Sequence, residues 1–137
     1  STPLYSSAAS DVYKRQIYTG IASESLRQRV YRTHFVGNNA SRSTLRKSIG
    51  SLFGYDLIPR KEGDSKHKKF KPADEEKLTE WMKNNLLLAF VENADPEPWE
   101  VKLIAELNPP LNLDKNTNMV NKEFRALLSK LRCRPVI

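Results

Sequence analysis

The sequence predicts an α/β domain in which a small, mainly antiparallel sheet is flanked by about five helices. Short runs at 17–22, 55–58, 67–70 and 86–91 have strand character, because Ile, Tyr, Val and Phe suit a pleated, half-buried surface. Longer stretches instead repeat apolar residues at helical spacing, and clusters of Gly, Asn and Pro punctuate the two kinds of segment.

A chain of 137 residues, 39% hydrophobic and 28% charged, has the size and balance of one globular domain with one core. No apolar run is long enough to cross a membrane, so no membrane partner is expected. The single cysteine, Cys133, leaves no internal disulfide and no cysteine-rich zinc site, which fits a reducing, cytoplasmic setting. The net charge of +7 favours a polyanionic partner such as nucleic acid.

Residues 1–16 read as a non-native or disordered segment: a small-residue run passes into Asp11, Val12, Tyr13 and Lys14 without an apolar pattern, and no basic start precedes an apolar centre as in a signal peptide. The domain is therefore set at 17–137. The run 17–22 leads into a helix that Ser23 or Ser25 can cap, with Leu26, Val30 and Thr33 facing the strand. Arg29 lies at the edge of that face. Its planar, permanently charged fork suits a phosphate, and an arginine whose stem snorkels along the core is the competing reading.

Gly37, Asn38 and Asn39 predict a loop, after which Ser43 caps a second helix lined by Leu45, Ile49, Leu52 and Phe53. From Arg27 to Lys47 every charged residue is basic: Arg27, Arg29, Arg32, Arg42, Arg46 and Lys47. One-signed charge around a helix start makes a phosphate-binding surface, against the alternative of a merely solvated face. The strands at 55–58 and 67–70 form a hairpin whose Lys66, Lys68, Lys69 and Lys71 either touch a nucleic-acid backbone or guard a sheet edge. His67 is read as a surface residue with no fellow ligand.

Pro72 opens a third helix with Asp74, Glu75 and Glu76 in its first turn, as the helix dipole favours, and with Leu78, Trp81 and Met82 inward. The apolar run 86–91 is expected to be a central strand. A fourth helix follows Asp95 and Pro96, with Glu100 on the same stripe as Leu103, Ile104 and Leu107. A carboxylate on an inward stripe requires an arginine, a hydrogen-bond network or a cation, so Glu100 is either a structural ion-pair partner or a metal ligand. The last helix, 121–131, turns Phe124, Leu127, Leu128 and Leu131 inward and Lys122, Arg125, Lys130, Arg132 and Arg134 outward.

Tyr18, Thr19 and Gly20, followed by Arg27, Gln28, Arg29 and then His34, resemble the second half of the GIY-YIG nuclease signature, a Tyr-x-Gly strand leading into a helix with an essential arginine. Thr19 takes the place of the usual isoleucine. Glu100 and the turn from Asn108 through Pro109, Pro110 and Leu111 to Asn112 are similar to the family's closing motif. Ser43, Thr44, Leu45, Arg46 and Gly50 resemble a bacterial-type branch.

The resemblance implies a DNA endonuclease that hydrolyses a phosphodiester with one divalent cation, Mg²⁺ or Mn²⁺, held by Glu100. Arg29 would bind the phosphate, Tyr18 would position water or phosphate, and His34 would take the place of the family's helix histidine, one residue further from Arg29 than usual. Gly20 and Asn112 would give structural support. Arg27, Arg32, Arg42, Arg46, Lys47, Lys68 and Lys69 would meet the DNA backbone. The family's first Gly-Ile-Tyr strand has no counterpart, because Val12 and Tyr13 stand too close to Tyr18 for a hairpin, so impaired catalysis is expected. The alternatives are a non-catalytic DNA-binding module, marked by salt-sensitive binding without cleavage, and a structural or protein-interaction domain that binds no nucleic acid.

Overall fold

The computed structural model describes residues 16–20, 27–64, 66–87 and 95–137, with the backbone alone at 27–31 and 96. Among these residues a π-wound helix, Arg27–Val36, is followed by a 3-10 turn, Ala40–Arg42, and by α1, Thr44–Leu52. The hairpin strands β1, Leu57–Pro59, and β2, Lys68–Phe70, come next. Helices α2, Pro72–Asn85, α3, Pro96–Leu107, and α4, Lys122–Arg132, complete the order.

Local chemistry accounts for the starts of two helices. Ser43 caps α1 by accepting from the Arg46 N–H at 3.0 Å, as expected. Pro72 occupies the first turn of α2, where its missing N–H costs nothing, and Asp74 and Glu75 meet the positive end of the helix. Between the first two helices Asn38 adopts a left-handed conformation at φ 47°, as the asparagine-rich loop predicts.

The strands pair antiparallel in the register Leu57 with Phe70, Ile58 with Lys69 and Pro59 with Lys68. The outer edge of β1 is extended by the C-terminus, where the Ile137 N–H donates to the Leu57 carbonyl at 2.9 Å. Leu57, Phe70, Leu45, Ile49, Leu78, Met82, Phe35, Ala40, Leu111 and Leu128 form one buried cluster. Complete burial of a side chain as large as Phe70 contributes about 1.5–3 kcal/mol. Gly50 lets α1 settle on that ring: a Cβ at this position would stand 2.1 Å from Phe70 Cε2.

Several expectations are corrected. Of the run 17–22, residues 17–20 join no regular strand and 21–22 lie outside the described residues; the run meets the turn after α3 instead, the Leu111 N–H donating to the Ile17 carbonyl at 2.9 Å. Leu127 is exposed and Arg125 is buried, the reverse of the expected faces. The Arg125 guanidinium is drawn in by the Asn108 side chain and the Asn118 and Val120 carbonyls. His67 is not isolated, since Asp64 sits 3.1 Å from its Nδ1. The central strand expected at 86–91 falls on residues of which 88–91 lie outside the described ones; Leu86 closes α2 and Leu87 is exposed.

Candidate active site

The site is built from the turn that follows α3. Pro109 and Pro110 stop the helix, Asn108 ends it in a left-handed conformation, and Asn112 is thereby brought against the segment of residues 16–20. Its carboxamide engages both backbone groups of Thr19: Oδ1 accepts from the Thr19 N–H at 2.7 Å, and Nδ2 donates to the Thr19 carbonyl at 2.7 Å. Thr19 and Asn112 are both buried, so this pairing satisfies groups that water does not reach. The side chain acts as a substitute for a neighbouring strand.

Pinning Thr19 fixes Tyr18. The Tyr18 ring lies edge-on to the His34 imidazole, with centroids 5.9 Å apart, and its hydroxyl is 3.1 Å from Thr44 Oγ1 at the start of α1. Gly20 leaves the ring room, since a Cβ there would come within 3.0 Å of Tyr18 Cε1. His34 is buried and shares a hydrogen bond through Nδ1 with the Ser43 hydroxyl, so the residue that caps α1 also orients the imidazole. Tyr18, His34, Ser43 and Thr44 thus form one cluster at the N-terminus of α1.

Glu100, 8% exposed, lies on α3 just upstream of the Asn112 turn. Lys115, from beyond that turn, donates to Glu100 Oε1 at 2.7 Å, and this bond holds the lysine pKa above its ordinary value. Among the described residues no three His, Cys, Asp or Glu side chains gather into a preformed metal cage. Magnesium does not need one: it keeps several waters and binds through one or two carboxylates plus substrate phosphates. The buried Glu100 carboxylate, already matched to a cation at 2.7 Å, fits that donor set.

The expected basic residues divide. Arg29 and Arg27 lie on the π-wound helix, with side chains outside the described residues. Arg32 and Arg42 are exposed, and Lys47, Lys68 and Lys69 are half-buried. Arg46 is a correction. It is wholly buried, donating from Nη2 and Nε to Glu75 Oε1 at 3.0 and 3.2 Å and from Nη1 to the His34 carbonyl and Thr79 Oγ1 at 3.0 and 2.8 Å. Glu75 Oε2 accepts from the Ala40 and Phe70 N–H groups at 2.8 and 3.1 Å. Burial pushes the Arg46 pKa down, and Glu75 opposes that shift. An arginine with its donors spent inside the core presents none to DNA; Arg46 supports the site from beneath through His34.

A family model described as the GIY-YIG catalytic domain matches residues 3–134. The chain belongs to the GIY-YIG family. Searches of curated proteins and of solved structures return no match. The GIY-YIG assignment carries nuclease-type function, which in this family generally uses divalent metal and has DNA as its substrate class. The matched span includes residues 3–15, which lie outside the described residues, as does any counterpart of the family's first strand at Val12 and Tyr13. No described helix is long and apolar enough to cross a membrane.

The contacts of three residues around the site were not legible in the sequence. Ser43 and Thr44 announce themselves as a helix start and as part of the bacterial-type resemblance, and Lys115 carries no local signal.

Proposed function

We propose that this GIY-YIG domain is a cytoplasmic endonuclease that hydrolyses a DNA phosphodiester with one Mg²⁺ or Mn²⁺ ion. The observation that carries the reading is the double hydrogen bond from Asn112 to Thr19, which ties the Tyr18 cluster to the turn directly after the helix that bears Glu100. Hydrolysis needs an oriented water, a neutralised phosphoryl group and a stabilised leaving oxygen.

In this reading Tyr18 positions water or phosphate, with Thr44 holding its hydroxyl and His34 its ring. Arg29 binds the phosphate as negative charge grows. Glu100 holds the ion, which when bound supplies Lewis-acid stabilisation of the phosphoryl and leaving oxygens. Lys115 releases Glu100 for that role. Arg27, Arg32, Arg42, Lys47, Lys68 and Lys69 contact the backbone, and Gly20 and Asn112 keep Tyr18 in place.

A nicking assay on plasmid DNA with Mg²⁺ tests the assignment. Cleavage is expected to fall by two orders of magnitude or more, about 10²–10³, in Glu100→Ala and Arg29→Ala, the scale of a lost charge-stabilising group. Strong cleavage indifferent to both changes would overturn it. One observation favours a second reading, a non-catalytic DNA-binding module: the Lys115 ammonium already neutralises Glu100. Metal-independent, salt-sensitive DNA binding without nicking would select that reading.

A further inference from the structure

Lys47, Lys68 and Arg132 come from three different elements, α1, β2 and α4. Packing of α1 against α4 and donation from Lys68 Nζ to the Arg134 carbonyl at 2.6 Å draw them to one place. The charges of Arg132 and Lys68 both act on Lys47, and Cys133 acts on Lys47 and Arg132 in the opposite sense. The Tyr18 hydroxyl meets Thr44, which lies one helical turn before Lys47 on the same face of α1.

Among the described residues none of these three cations forms an ion pair. Arg132 Nε is buried and donates to no acceptor. Ser48 and Ser51, which follow Thr44 and Lys47 around the same face, are buried with unpartnered hydroxyls. The dipole at the C-terminus of α4 attracts one cation such as Arg132, but it does not account for lysines converging on it from two other elements. Partial desolvation and mutual repulsion disfavour the gathering and lower the Lys47 pKa, burial being the larger cause. An anion at the centre removes the repulsion and gives the orphaned Arg132 Nε–H its acceptor.

We infer that Lys47, Lys68 and Arg132 form a seat for a DNA backbone phosphate beside Tyr18. The inference deepens the nuclease reading and rests on it for the identity of the anion's bearer. The seat fixes the register of the duplex by gripping a phosphate that is not cleaved, with Arg132 as its central fork.

Two measurements on the full chain test it. Titration with inorganic phosphate, followed by NMR at the Arg132 Nε–Hε resonance, is expected to give a saturable shift in the wild type and to raise its melting temperature, with neither effect in Lys47→Gln/Lys68→Gln. Binding of a short duplex, followed by fluorescence anisotropy against salt, is expected to lose about 2 from the log–log slope in that double variant and about 1 in Lys47→Gln, with Lys83→Gln unchanged. Lys47→Gln is expected to melt no lower than wild type, because it relieves repulsion, so its slope reports on a folded protein. Arg132→Lys keeps the slope but loses the guanidinium's paired donors.

An Arg132 resonance indifferent to phosphate, together with slopes that coincide, overturns the seat even if nicking remains sensitive to Glu100→Ala. Phosphate binding at Arg132 in a chain that never nicks DNA supports the seat while the nuclease reading falls.

Discussion

Asn112 and Thr19 are joined by two hydrogen bonds of 2.7 Å that reproduce, with one side chain, the pairing a strand would supply. The separation between them is 93 residues, so this contact closes most of the chain into one loop. Asn112→Leu would leave the buried Thr19 N–H and carbonyl without partners, at about 1–3 kcal/mol for each group. Urea denaturation is expected to show that loss, with nicking reduced further than stability alone explains because Tyr18 is released. A variant with wild-type stability and nicking would refute the role assigned to Asn112.

The Arg46–Glu75 pair predicts a mutation whose effect lies in folding. Arg46→Ala strands a buried carboxylate and should cost about 3–5 kcal/mol. Arg42→Ala, at an exposed site, should change stability by less than about 0.5 kcal/mol. Chemical denaturation of the two variants separates these roles; equal, small effects would return Arg46 to the surface-cation class.

Gly50 and Phe70 are coupled by their close approach. Gly50→Ala pushes a methyl into the ring and is expected to destabilise by about 1–3 kcal/mol, the usual scale of overpacking. Phe70→Leu in the same background should recover part of that loss in a double-mutant cycle. Simple additivity of the two changes would mean that the helix moves away from the strand instead.

Lys115 competes with the proposed metal for Glu100. Lys115→Met removes a half-exposed ammonium and leaves the buried Glu100 carboxylate open to another cation. Mn²⁺ titration should show tighter binding in that variant and none when Glu100→Gln is added. Unchanged Mn²⁺ affinity would detach Glu100 from metal binding.

Local rules act over one helical turn, and what they governed could be read from the chain. Ser43 as a cap, Pro72 and the acids behind it as a helix start, and the hairpin from Leu57 to Phe70 all follow from neighbours within a few positions. The family resemblance could be read from the chain as well, and the match over residues 3–134 bears out the family.

Which cations face water was decided only in three dimensions. Arg46 and Lys47 are adjacent in an acid-free stretch, yet Glu75, 29 positions after Arg46, draws one into the core while the other stays half-buried. Leu127 and Arg125 exchange their expected faces because Asn108 and two loop carbonyls offer the guanidinium acceptors that no helical period reveals. A buried charge is stable only where its partners converge, and those partners come from segments brought together by folding.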